Sequence, residues 1–333
     1  MMEDIVNKVQ QSSFQIIQDD CKFIYSLLVL TQNDKRFQTN YVMMFTPYLA
    51  LFTYGAEQWG EKMNLHFPVF TMEEKEYYKK LRQSTKLYEK NYFELKSDFN
   101  AKLQESDVYF KKVRSLLEIM IGYKNVGADL CENTYIGNTI LCSIYSPLDL
   151  FENETKYYLK SLAVICGKMV GSYLGDAWSK YIVNKDIKLS TRDFHFYENC
   201  PIKMKSDCGL VLFSILCSIN YCIDFLEKVI LEESAMKFKA AYLQYYYLCD
   251  FLSEFKEHEK ITIEIDRRLY NLDFRNCIAH YGLGVYMKED DIIVDDILKG
   301  LTNKAFQLDY CEAKRKLYYI LEEVVKQIEE IIF

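Results

Sequence analysis

Lys316-Leu317-Tyr318-Tyr319-Ile320-Leu321-Glu322-Glu323-Val324-Val325-Lys326-Gln327-Ile328-Glu329-Glu330-Ile331-Ile332 is the stretch whose reading decides the fold class. Its apolar residues Leu317, Ile320, Leu321, Val324, Val325, Ile328 and Ile331-Ile332 recur at steps of three and four. That spacing puts them on one broad face of an α-helix, and such a face needs a neighbour to cover it. Working back, the same periodicity predicts helices at about 207–232, 235–258 and 261–281 before the last at about 303–332. Short turns join them, as in an antiparallel helical bundle.

The rest of the chain reads the same way, less regularly. Helical spacing recurs over 4–30 and 40–58, and a Lys/Glu/Tyr-rich stretch follows at 72–120, with i,i+4 charges such as Glu76–Lys80 and Arg114–Glu118. Gly122, Gly127, Gly137 and Pro147 mark a break at 122–147, and helix resumes near 154–184. Residues 185–208 are polar, contain Pro201, and suit a domain boundary. With only 4 Pro and 12 Gly in 333 residues, helix breakers are scarce. The expectation is an all-α protein: an irregular helical N-terminal region over 1–200, of unknown role in sensing, guidance or regulation, then a bundle over 205–333.

Composition narrows the function. Half the residues are apolar, with 28 Tyr and 21 Phe, which is the make-up of a folding chain. A net charge of −7 argues against a general nucleic-acid coat, whose affinity depends on a basic surface. It leaves room for a small basic cleft. The 11 cysteines are scattered without zinc spacing and imply free thiols in a reducing, cytoplasmic setting. Met1-Met2-Glu3-Asp4 carries acid where a secretory leader carries base. The longest apolar run, Gly209–Ile219, is short for a bilayer and continues into Asn220 and Asp224, so it reads as a buried helix. No membrane association is expected.

One string stands out chemically: Asp273-Phe274-Arg275-Asn276-Cys277-Ile278-Ala279-His280-Tyr281-Gly282. It gathers an arginine, an amide and a histidine suited to a phosphodiester. Arg275 can neutralise phosphate charge, His280 can move a proton near neutral pH, and Asn276 can orient the imidazole. Of the 4 histidines (His66, His195, His258, His280), only His280 has such company in the sequence. On a helix Asn276 and His280 share a face, whereas Arg275 lies about 140° round from His280 and must bend toward it near a helix end that Gly282 and Gly284 would supply. Arg267, Arg268 and Tyr281 are candidate RNA contacts. The plainer reading is a core-facing helix whose Arg and His satisfy local partners.

This string resembles the Arg-(four to six residues)-His motif of the HEPN superfamily, in which a polar residue such as Asn follows the arginine. The resemblance covers the motif and, more loosely, the helical pattern of the last 130 or so residues. It implies a metal-independent endoribonuclease without cofactor. Such an enzyme attacks single-stranded RNA through the 2′-hydroxyl, in a prokaryotic defence or toxin-type system. It also implies catalytic Arg275, Asn276 and His280, and a homodimer that brings two motifs into one cleft, with a regulatory protein or guide RNA as a further partner. The tyrosine that family toxins place two residues after the histidine is replaced here by Gly282. The alternative is a non-catalytic HEPN-like module for nucleotide binding or protein interaction, and a third reading takes Tyr242, Tyr245, Tyr246 and Tyr247 as an interaction surface. The acids Glu289, Asp290, Asp291, Asp295 and Asp296 suggest metal on sight but have no calcium-loop spacing, so no metal site is assigned.

Overall fold

The apolar face of the last helix is covered by the chain itself. In the computed structural model, which describes residues 7–37, 40–65, 70–113, 122–145, 155–175, 179–281, 286–293 and 296–333, this helix runs Tyr310–Ile332. Leu317, Leu321, Val324, Ile328 and Ile332 on it are wholly buried. Asp309 caps it, accepting from the Glu312 N–H at 2.8 Å. The covering elements are Asp207–Val229, Ala235–Glu259 and Ile297–Phe306.

In chain order the helices are α1 (Lys8–Asn33), α2 (Asn40–Met43), α3 (Thr46–Lys62), α4 (Met72–Gln83), α5 (Tyr92–Val113), α6 (Thr139–Tyr145), α7 (Thr155–Leu174), α8 (Asp207–Val229), α9 (Ala235–Glu259), α10 (Leu272–Ala279), α11 (Ile297–Phe306) and α12 (Tyr310–Ile332). The protein is mainly helical, but the all-α expectation needs a correction. A three-stranded antiparallel sheet, β1 (Val126–Cys131), β2 (Thr134–Asn138) and β3 (Leu189–Phe194), is ordered β2-β1-β3. Cys131 pairs with Thr134 across a two-residue turn whose first residue, Glu132, has φ 59°. β1 pairs with β3 from Val126↔Phe194 to Cys131↔Leu189. Two of the glycines that read as breaks, Gly127 and Gly137, lie inside these strands. At Gly127 a Cβ would come within 3.0 Å of Asp193 Oδ1 and 3.1 Å of Thr139 Cγ2, so the strand needs a residue without one.

Helix α8 is the centre of the molecule. Every residue from Cys208 to Asn220 is buried, and a π-helical turn at Tyr221–Phe225 widens the helix before Leu226. Among the described residues it alone is long and apolar enough to cross a membrane, and 89% of its most apolar 18-residue stretch lies inside the protein. α5, α9 and α12 pack round it, while α1 lies against α9 and α11. One continuous core therefore draws on residues from both sides of 185–208, where β3 and a loop stand. All eleven cysteines are free, and nine of them are buried.

Three expected helices take other forms. The stretch at 72–120 is cut by a 3₁₀ segment, Ser84–Glu89, in which Lys86 leaves helical geometry at φ −102°, ψ 27°. The helix expected at 303–332 divides into α11 and α12 at Gln307, which adopts the left-handed conformation (φ 58°). The helix expected at 261–281 is only Leu272–Ala279. The alternation Ile261-Thr262-Ile263-Glu264-Ile265 places β-branched residues where a helix restricts their χ1. Residues 260–271 instead run irregularly over α9, with their backbone satisfied by tyrosines. The Tyr245 hydroxyl donates to Asp266 O at 2.8 Å and accepts from Leu269 N, and the Tyr242 hydroxyl donates to Leu269 O at 2.8 Å. The pair Arg114–Glu118, Pro147, His66, Gly282, Gly284, Val294 and Asp295 lie outside the described residues.

Candidate functional site

Helix α10 presents the motif. Asn271 caps it by accepting from the Phe274 N–H at 2.9 Å, and Phe274, Cys277, Ile278 and Ala279 bury its inner face. His280 follows as C-cap (φ −125°, ψ 21°), and Tyr281 turns left-handed at φ 53°. The stop expected from Gly282 is therefore made one residue earlier, by a tyrosine. A side chain there is strained by about 1 kcal/mol or more and needs compensation. Tyr281 receives it from burial and from a 2.5 Å hydrogen bond to Asp20 of α1. Asp20 is wholly buried and also pairs with Lys239 of α9, whose ammonium stands 4.0 Å over the Tyr281 ring. Tyr281 is consequently a core anchor, and its expected role as an RNA contact is withdrawn.

Arg275 and Asn276 are joined differently from the expectation. Asn276 Oδ1 accepts from Arg275 Nη1 at 2.7 Å, and among the described residues the amide makes no hydrogen bond to the imidazole. Asn276 thus orients the arginine. The Arg275 guanidinium lies 5.0 Å from the Tyr246 ring and 5.5 Å from the Tyr247 ring, both on α9. Tyr246 stacks in turn on Tyr270 at 4.6 Å, and Arg267 covers Tyr270 at 4.3 Å. Tertiary structure supplies the arginines between tyrosines that the linear sequence lacks, while Tyr242, Tyr245, Tyr246 and Tyr247 are all buried, which removes them as an exposed interaction surface. Arg267 and Arg268 sit on the irregular segment, not on a helix leading to Arg275. Arg267 pairs with Asp250 at 2.7 Å and Arg268 with Asp266 at 2.6 Å, so each cation is locally neutralised.

The remaining side of the site comes from the N-terminal region. Arg82, at the end of α4, stacks 3.8 Å from the Tyr54 ring of α3, and the Tyr54 ring edge meets His280 at 6.3 Å. Gly55 permits that approach: a Cβ there would lie 2.9 Å from Tyr281 Cε2 and 3.2 Å from Ala279 O. The 3₁₀ segment carries Lys86 and Glu89 alongside, held by Tyr88, whose ring packs on Phe251 and whose hydroxyl meets Ser218. Lys86 pairs with Glu89 at 2.7 Å, and Glu89 lies 3.7 Å from Arg275 Nη2, beyond hydrogen-bond reach. Burial first, then the charges of Arg82, Arg275, Lys239 and Lys86, push the His280 imidazole down from its ordinary 6.5 to about 4. Arg82, Lys86, Glu89 and Tyr54 carried no signal in the sequence, because they stand 186 to 226 residues before the motif residues they approach and follow no spacing rule.

The other titratable clusters are structural. Tyr123 donates to Asp107 at 3.1 Å, and its hydroxyl lies 3.1 Å from His195 Nε2, tying α5 to the end of β3. His258 stacks on Tyr92 at 5.3 Å. Asp291 holds Lys304 at 2.5 Å, and Asp296 caps α11 through the Leu298 N–H, so these acids have backbone and lysine partners. The hollow of about 690 Å³ lined by Tyr310, Lys314, Tyr318 and Tyr319 lies on α12, away from the motif.

No family model, no curated protein and no solved structure matches this chain.

Proposed function

We propose that the protein is a metal-independent endoribonuclease of HEPN type that cleaves single-stranded RNA. One observation carries the reading: a half-buried imidazole, held below its ordinary range by burial and by nearby cations, shares its surroundings with two arginines stacked on tyrosines, Arg82 and Arg275, whereas Lys239 and Lys86 are paired with Asp20 and Glu89. Cations that disfavour imidazolium favour an anion in the same place. A bound phosphodiester offsets their charge and lifts the imidazole back toward its ordinary range, so His280 gains basicity when substrate is seated. His280 then takes the proton of the 2′-hydroxyl as the 2′-oxygen bonds to phosphorus. The P–O5′ bond breaks, leaving a 2′,3′-cyclic phosphate, and the 5′-oxygen takes up a proton from a general acid. Arg275, steadied by Asn276, balances the added charge on the phosphorane.

In a homodimer the second His280, protonated, would be that acid. With the α12 face covered within the chain, the homodimer now rests on the single motif per chain, and light scattering tests it. The cleavage test is direct. His280→Ala and Arg275→Ala should each lower RNA cleavage by about 10²–10⁴-fold with melting temperature nearly unchanged, and Asn276→Ala should be milder. Variants that melt early yet keep full activity per folded molecule would make the trio structural. Cleavage should persist in excess EDTA and fail on 2′-O-methylated RNA. Loss with chelator and recovery with magnesium would refute the mechanism.

A further inference from the structure

The motif helix does not form this site alone. Arg82 is half-buried against Tyr54, and among the described residues it has no carboxylate partner, in contrast to Arg267 and Arg268. Arg275 uses one of its five N–H donors on Asn276 and leaves Glu89 at 3.7 Å. Two guanidiniums with unused donors thus flank one imidazole, one brought by α4 and one by α10. Tyr54 fixes the first and Tyr246 the second, and flat stacked guanidiniums are suited to bidentate phosphate binding. Among the described residues Glu89 is the one carboxylate within 4 Å of either guanidinium, where it answers Lys86 and faces Arg275 as a weak internal anion.

We propose that Arg82 and Arg275 together bind one backbone phosphate of single-stranded RNA beside His280, and that Glu89 holds this position until the phosphate displaces it. The proposal deepens the ribonuclease reading and rests on it for the identity of the ligand. It makes Arg82 a phosphate-binding residue supplied by the N-terminal region, and it makes Glu89 an opposing charge whose removal strengthens binding.

The test uses the full chain and a short 2′-O-methylated oligouridine, which carries the phosphates and cannot be cleaved. Arg82→Gln should weaken its binding at least tenfold and reduce the slope of log K against log salt by about 0.7, the value for one phosphate contact on a single strand. Glu89→Gln, which keeps both arginines and is a mild surface change, should tighten binding at least threefold. NMR titration of His280, assigned with His280→Gln, should show its pKa rising when the oligonucleotide binds, and already raised in free Arg82→Gln. Equal affinity for Arg82→Gln and wild type, or weaker binding by Glu89→Gln, would overturn the proposal even if His280→Ala abolishes cleavage. Conversely, arginine-dependent binding without any cleavage of unmodified RNA would sink the enzyme reading and leave the phosphate site standing.

Discussion

Asp20→Ala is the substitution with the largest consequence for the candidate site, although Asp20 belongs to the first helix. Asp20 is wholly buried, Lys239 is 4% exposed and Tyr281 3% exposed, so all three polar groups depend on one another. Deleting the carboxylate leaves a buried ammonium and a buried hydroxyl without their acceptor, which costs about 3–5 kcal/mol for a broken buried pair. With an unfolding entropy of about 2.1 cal/mol/K per residue, a chain of 333 residues loses roughly 1.4 °C per kcal/mol, so the melting temperature should fall by about 4–7 °C. Calorimetry or circular dichroism measures it. The double variant Asp20→Leu with Lys239→Met removes both charges and should recover most of the loss, since buried pairs are often replaceable by apolar residues. An Asp20→Ala protein that melts within about 1 °C of wild type would refute the argument, as would a double variant no better than the single.

Two further expectations concern the same end of α10. Gly55→Ala should destabilise by about 1–3 kcal/mol, because the new methyl meets Tyr281 and the Ala279 carbonyl, and RNA cleavage should fall with the displaced His280. Acid stability should depend on His280: with the folded imidazole near 4 and the unfolded one near 6.5, the unfolded chain binds the proton first. Stability is therefore lost as pH falls from about 6.5 to 4, by about 1–2 kcal/mol once the partial exposure of the ring is allowed for. Urea unfolding of His280→Gln against wild type should show that difference inside this window and none above pH 7.

Legibility in the sequence followed the strength of the periodicity. α12 was readable because apolar residues over about four turns agree with one face, and α8 because an apolar run between polar ends is a buried helix. The sheet was not, since Val126–Cys131 and Thr134–Asn138 are short and their glycines read as breaks. Residues 261–271 carry apolar residues compatible with a helix, and only their β-branched alternation argues otherwise. At the site, Arg275 and His280 were visible as a local pattern. Arg82 and Tyr54 were not, because their place beside the imidazole is created by α4 packing on α3 and α3 against α10, a relation with no local signature.

The bond between Tyr281 and Asp20 spans 261 residues of chain. On a ribosome adding about 5–20 residues per second, α1 emerges some tens of seconds before the residue that completes its contact. Until then the left-handed turn after α10 has no anchor, and the imidazole has no fixed place. Asp20 and Lys239 therefore wait on Tyr281, and the surroundings of His280 take shape only after that residue has left the ribosome.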